Sequence, residues 1–209
     1  DCGACSDAIA DYFGLFDFVS TPSTACSSAM NAVIFGARLI ESGLRDIVVV
    51  GGSESLSRFH LNGFKSLMIL DEAVCRPFDA RRAGLNLGEG AAYLVLESEE
   101  SRCRRGAEAL GVLSGTGNAC DAFHQTASSE NGEGAVLAMR QALREAGLEP
   151  GEIDYVNAHG TGTPNNDASE SMALREVFGD AVPPVSSTKM YTGHTTSASG
   201  SIEAVFSLL

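Results

Sequence analysis

Three short polar clusters in this 209-residue sequence carry side chains able to do covalent and electrostatic chemistry. The first is Ser23-Thr24-Ala25-Cys26-Ser27-Ser28-Ala29. A thiol becomes a good nucleophile as thiolate, and the free N–H groups and dipole at a helix N-terminus favour that form. The small hydroxyl residues around Cys26 leave room for a substrate to reach the sulfur. A free cysteine is otherwise a small packed hydrophobe, and this stretch alone leaves both readings open. The second cluster is His159-Gly160-Thr161-Gly162-Thr163. Its glycines admit a ligand close to the backbone, and its threonine hydroxyls can hydrogen-bond an amide-bearing chain. The third, Lys189-Met190-Tyr191-Thr192-Gly193-His194, sets a cation five residues ahead of an imidazole. His60 and His124 have no comparable setting and read as structural.

The elements that must position these groups alternate along the chain. Residues 16–19 form an apolar run of strand type. Residues 25–37 carry no charge at all, which predicts a helix buried on every side, stopped at Glu41-Ser42-Gly43, with Cys26 at its buried N-terminus. Upstream, Asp7 can cap a helix over 8–13 that Gly14 closes. Residues 47–50 are a continuous apolar strand of the parallel-sheet kind. It runs into Gly51-Gly52-Ser53-Glu54-Ser55, a polar turn at a strand's carboxyl end, where open α/β sheets place their sites. Residues 58–83 read as loop with a short helix. Pro77-Phe78-Asp79 with Gly84, Gly88 and Gly90 is a glycine-punctuated loop that opens no helix, so it is not a nucleotide fingerprint. A strand follows over 91–97. The charged stretch 97–106 is the best boundary, dividing the chain into 1–100 and 101–209. Beyond it come a strand at 109–113, a helix at 133–146 stopped by Gly147, and a strand at 153–158 running into His159. A helix at 168–178, a strand at 184–188 and a last apolar helix at 199–209 complete the series. The alternation predicts an α/β class with buried parallel strands. Residues 24–29 and 192–197 each place a reactive residue at the head of an apolar helix. Two related halves facing each other would bring Cys26 and His194 together.

Composition narrows the partners. A hydrophobic content of 44% over this length supports a sizeable core. No apolar run is long enough to cross a bilayer, and no secretory signal pattern opens the sequence, so a membrane role has no support. A net charge of −13 argues against nucleic acid, which requires a basic surface. The cations are twelve arginines with only Lys65 and Lys189. Arg76, Arg81 and Arg82 form one cluster and Arg102, Arg104 and Arg105 another, either to meet an anionic partner or to sit solvated on the surface. The six cysteines have no disulfide spacing, and Cys2-Gly3-Ala4-Cys5, lacking a second pair, reads as incidental. A reducing, cytoplasmic setting fits all six.

Taken in order, four motifs resemble those of the β-ketoacyl-acyl carrier protein synthases, the thiolase-like condensing enzymes of fatty acid and polyketide synthesis. They are Thr24-Ala25-Cys26-Ser27-Ser28, Pro77-Phe78-Asp79 with Gly88-Glu89-Gly90-Ala91, Asn157-Ala158-His159-Gly160-Thr161-Gly162-Thr163, and Ser187-Thr188-Lys189 with Gly193-His194. The resemblance covers essentially the whole chain. It implies a layered α/β/α/β/α fold, here incomplete at both ends. Residues 1–100 would be the later part of its N-terminal half and 101–209 the earlier part of its C-terminal half.

The resemblance also implies a decarboxylative Claisen condensation. Cys26 would take the acyl chain as a thioester, while His159 and His194 would hold the malonyl carbonyl and stabilise the enolate. Lys189 would support His194, with Glu203 as its ion partner. Thr161 and Thr163 would bind the phosphopantetheine arm, and Thr126 would line the acyl pocket. No metal or dissociable cofactor is implied, because the substrates ride on the phosphopantetheine of an acyl carrier protein. That carrier is one implied partner; a second copy of the chain, or a paralogue, is the other. Leu85 stands where many elongating members have an aromatic residue, and Ser197 where many have glycine. The family's first strands and its C-terminal gate loop fall outside 1–209, so the chain is expected to be the central portion of an enzyme and inactive alone. Two other readings remain. A non-catalytic chain-length subunit usually lacks the nucleophile that Cys26 supplies. A coenzyme A-dependent thiolase-like acyltransferase is disfavoured by the His-Gly-Thr-Gly-Thr motif and the paired histidines.

Overall fold

Glycine, proline and short polar residues cut the chain into elements in the computed structural model, which describes residues 3–15, 17–124 and 126–209. In chain order these are α1 (Ala4–Phe13), α2 (Ser28–Glu41), β1 (Ile47–Glu54), α3 (Arg58–Ser66), β2 (Gly90–Glu97) and α4 (Glu99–Arg105). There follow α5 (Glu133–Ala146), β3 (Val156–Asn157), α6 (Pro164–Phe178), β4 (Val185–Ser186), α7 (Lys189–Thr192) and α8 (Ser199–Leu208). Short 3-10 turns occupy Pro150–Glu152 and Thr196–Ala198. The elements sort into two compact units that interleave along the chain. One holds Asp1–Ser55, Glu89–Leu110 and Thr195–Leu209; the other holds Leu56–Gly88 and Gly111–His194.

In the first unit, α2 and α8 lie side by side across one face of a β1–β2 ribbon. Gly36 lets α2 seat directly on the strands, since a Cβ there would stand 2.4 Å from a Val50 methyl. β1 and β2 pair antiparallel, from Ile47 opposite Glu97 to Glu54 opposite Gly90. The parallel pairing expected of β1 is therefore wrong: an apolar run reports burial, while direction is set by the connection that follows. The expected polar turn at 51–55 is also wrong, because β1 continues through Gly51 and Gly52 to Glu54. At Gly51 the Ala92 carbonyl comes within 2.2 Å of where a Cβ would stand, so only glycine lets the ladder continue. Glu54 ends the strand by accepting hydrogen bonds from the Thr196 hydroxyl and from the N–H and hydroxyl of Ser197.

Helix α2 is buried along one face, through Ala29, Val33, Gly36 and Ala37, while Met30 and Phe35 remain 38% and 41% exposed. The expectation of burial on every side is thus not met among the described residues. Helix α1 begins at Ala4 on Gly3, not on an Asp7 cap. Residues 17–19 form no strand, and Phe16 and Cys2 lie outside the described residues. Most of the charged stretch at 97–106 is helix α4, capped by Ser98, and its arginines are paired. Arg102 meets Glu99 at 2.6 Å, Arg104 meets Asp46 at 2.9 Å, and Arg105 meets Glu97 at 2.7 Å. Hydrogen bonds from Arg105, then Ser101, hold the Glu97 carboxyl at about 2.

The second unit packs α5 against α6 and carries a two-residue parallel ladder in which Val156 faces Val185. The strands expected at 153–158 and 184–188 shrink to β3 and β4. No strand forms at 109–113, where Leu110 is 89% exposed. The chain beyond lies flat on α5 instead: a Cβ at Gly117 would stand 1.9 Å from the Ala138 carbonyl. Helix α6 starts four residues before its expected position, with Thr163 extended at its N-cap position and Pro164 in its first turn. The other arginine cluster is also paired, Arg76 with Asp71, Arg81 with Asp79 and Arg82 with Asp167. No helix of the described residues is long and apolar enough to cross a membrane.

Candidate active site

Cys26 sits at the tip of a hydroxyl-bonded elbow in the first unit. Helix α2 begins at Ser28, so the sulfur precedes the helix by two residues and does not lie within it. The Ser28 hydroxyl donates to the Ala25 carbonyl at 2.6 Å and accepts the Thr24 N–H at 2.9 Å. The Ser27 hydroxyl donates to the Thr24 carbonyl at 2.8 Å, and the Asn31 amide reaches the Thr24 hydroxyl at 2.8 Å. This web holds Ala25 at φ 54, a left-handed conformation that costs an L-residue about 1–2 kcal/mol. The small hydroxyl residues thus build the strained turn that presents the half-buried thiol.

The second unit gathers His159, His194 and Lys189. His194 is 2% exposed, and its ring stands nearly perpendicular to those of His159 and Phe64, with centroids 5.1 and 6.2 Å away. Its backbone is held from both sides: the N–H donates to the Asn86 carbonyl at 2.7 Å, and the carbonyl accepts the Gly88 N–H at 3.1 Å. Lys189 is 1% exposed and brings Nζ within 3.3 Å of Nδ1 of His159. An ammonium can only donate, so Nδ1 accepts and the ring proton sits on Nε2. Loss of solvent, then the charge of Lys189 and the presence of His194, drive the His159 pKa well below 6.5. The outcome is a neutral imidazole with an N–H to offer, suited to an oxygen that gains negative charge during a reaction.

Two carboxylates brace the loop that carries His159. Glu170 accepts the N–H groups of His159 at 2.7 Å and Gly160 at 2.8 Å, and burial raises its pKa. Asp167, 1% exposed, accepts those of Phe78 at 2.7 Å and Gly162 at 3.1 Å. The Cys75 thiol donates to the Thr161 carbonyl at 3.1 Å. The N–H groups of His159, Gly160, Gly162 and Thr163 thus each find an acceptor, as buried backbone requires.

The remaining candidates fall in several places. The hydroxyls of Thr161 and Thr163 are both buried and bond each other at 2.8 Å. Thr126 is exposed, and its N–H donates to Nδ1 of His124 at 3.2 Å. Glu203 is half-buried on α8 in the first unit. His194 precedes α8 by five residues, with the 3-10 turn between, so its likeness to the Cys26 elbow is looser than the sequence suggested. Sequence reasoning missed Asp167, Glu170, Phe64 and Asn86. For the two carboxylates a signal existed: placing the start of α6 at Pro164 puts both in its first two turns, directly after the histidine loop. Nothing in the local sequence marked Asn86.

Comparison with known proteins gives the family to which this fold belongs. Residues 3–102 match the β-ketoacyl synthase N-terminal domain and residues 110–209 the β-ketoacyl synthase C-terminal domain. The chain belongs to the β-ketoacyl synthase family. It is 41% identical over 194 residues to 3-oxoacyl-[acyl-carrier-protein] synthase 2 of Staphylococcus aureus, covering 89% of this chain and 48% of that one. It is 42% identical over 198 residues to the mitochondrial 3-oxoacyl-[acyl-carrier-protein] synthase of Arabidopsis thaliana, covering 89% of this chain and 43% of that one. The ketosynthase solved in complex with its chain length factor from Xenorhabdus doucetiae superposes with a TM-score of 0.91 at 43% identity, over 99% of this chain and 49% of that one. A ketosynthase solved with its type II polyketide acyl-carrier protein gives 0.94 at 31% identity, over 100% and 53%. The chain therefore has the fold of these ketosynthases and spans about half the length of the relatives it matches.

Proposed function

We propose that the protein is a β-ketoacyl-acyl carrier protein synthase, condensing an acyl thioester with a malonyl thioester in fatty acid or polyketide-type synthesis. The Cys26 thiolate attacks the acyl carbonyl and releases the carrier's thiol. The malonyl thioester then loses carbon dioxide, and N–H donors on His159 and His194 stabilise the enolate oxygen. The enolate carbon attacks the Cys26 thioester, forming the new carbon–carbon bond and expelling the thiolate. Lys189 holds the proton of His159 on Nε2, with Glu203 as its counter-charge. Thr161 and Thr163 bind the phosphopantetheine amides, and Thr126 contributes to the acyl pocket. The partners are an acyl carrier protein and a second synthase subunit, identical or paralogous; the relatives solved with a chain length factor and with a carrier protein support this. Residues 1–100 and 101–209 are taken as parts of two related halves.

The observation that carries the reading is the paired histidines, one kept neutral by burial and by a lysine at 3.3 Å. The two half-reactions separate its parts. In the natural protein, Cys26→Ala should abolish acyl-enzyme formation while malonyl decarboxylation continues. His159→Ala and His194→Ala should each lower decarboxylation by about 100-fold or more, the usual scale for a lost oxyanion donor, with acylation of Cys26 largely retained. Mass spectrometry of the acyl-enzyme and release of labelled carbon dioxide measure the two. Histidine variants that decarboxylate at the normal rate would overturn the assignment.

A further inference from the structure

We propose that Asn86 is a positioning residue for His194, an inference that rests on the function proposed above and adds a group outside its motifs. The side chain and main chain of Asn86 face different structures. On the side-chain side, Oδ1 accepts the Cys75 N–H at 2.7 Å, and Nδ2 donates to the carbonyls of Asp71 and Ala73, each at 3.0 Å. Both amide protons are used, so the residue is locked to the loop over 71–75. On the main-chain side, its carbonyl accepts the His194 N–H at 2.7 Å. Gly88, two residues on, returns a hydrogen bond to the His194 carbonyl at 3.1 Å.

The neighbouring contacts make this path stiff. Leu85, fully buried, donates its N–H to Ile69 at 2.8 Å and accepts that of Asp71 at 3.0 Å. A Cβ on Gly88 would stand 1.9 Å from the Thr192 carbonyl, so residues 87–88 and 193–194 are in direct backbone contact. A shift in residues 85–88 is therefore passed to His194 with little slack.

The chemistry of the site selects asparagine. An aspartate would set a carboxylate against two carbonyl oxygens. A leucine of similar volume would leave the Cys75 N–H and both carbonyls without this partner. Asn86 acts through the backbone of His194, and its effect is on where that imidazole stands.

The test uses the natural protein with Asn86→Leu and Asn86→Asp. Malonyl decarboxylation should fall about 10- to 100-fold, the scale expected for an ångström of misplacement. Acylation of Cys26 should stay within about twofold, because the hydrogen bonds from Ser27 and Ser28 that shape the thiol elbow close on Thr24 and Ala25. The loss in Asn86→Asp should shrink relative to the parent as pH falls, since a protonated carboxyl regains one O–H donor. Full decarboxylation in the variants, or an equal loss in both half-reactions, would overturn the proposal. Should neither variant fold, native-state hydrogen exchange of the unaltered protein decides. The Cys75 and His194 amides should open together with one denaturant dependence; independent opening refutes the coupling. A parent protein that cannot decarboxylate malonyl thioesters would refute the function, whereas the exchange result would still judge the coupling.

Discussion

At the scale of single residues, the pKa of His159 ties the site to stability. The native imidazole stays neutral well below 6.5, while the unfolded chain takes up its proton near that pH. Stability should therefore fall as pH drops below about 6.5, with a slope of up to about 1.4 kcal/mol per pH unit from this group. Glu170 works in the opposite sense. Its carboxyl is raised above 4.5, so what it contributes is present in acid and is lost as pH rises through the raised value. Replacing His159 by Gln should flatten the loss between pH 7 and 5.5, as read from urea midpoints at several pH values. An unchanged slope would mean that the ring is solvated in the native state. The Cys26 elbow offers a second residue-scale prediction. Ala25→Val puts a β-branched side chain at φ 54, where Ala25 is already strained, and should destabilise the protein further in chemical denaturation.

At the scale of elements, the tight crossing of residues 87–88 with 192–194 makes a sharper demand. Gly88→Ala must displace backbone, because its methyl would sit 1.9 Å from the Thr192 carbonyl. It should lower the melting temperature and depress decarboxylation more than acylation. The elements also show what could be read in advance. Helix α5 was legible to the residue because its apolar period is regular and Gly147 stops it. The Cys26, His159 and His194 motifs stood out in the sequence because they set small and hydroxyl residues in patterns that packing alone does not demand. The direction of β1 was not, since Ile47-Val48-Val49-Val50 looks the same whichever way its partner runs. Nor was the lack of a strand at 109–113, where glycines at 115 and 117 lay the chain on a helix. Asp167, Glu170 and Asn86 each bind main-chain groups, which residue type does not reveal; only the two carboxylates could have been found, through the start of α6 at Pro164.

At the scale of the whole molecule, neither compact unit is a contiguous stretch of chain. A cut at residue 100 would strip α8 from the ribbon formed by β1 and β2, and would remove Asn86 and Cys75 from the loops around His159 and His194. The uncovered apolar surface would cost roughly 25 cal/mol per Å², enough to consume much of a typical domain's stability. Residues 1–100 and 101–209 made separately should therefore lack cooperative unfolding transitions by circular dichroism. Two sharp transitions would contradict this. The same interleaving governs events during synthesis. The ribosome delivers α2 and both ribbon strands ahead of residues 98–198, yet α8, the helix that lies beside α2 on them, emerges only after those residues. The loop around Asn86 likewise waits for His194. While residues 98–198 are being made, then, α2 stands on its ribbon without α8. Each unit thus waits on the chain from His194 to α8 to leave the exit tunnel.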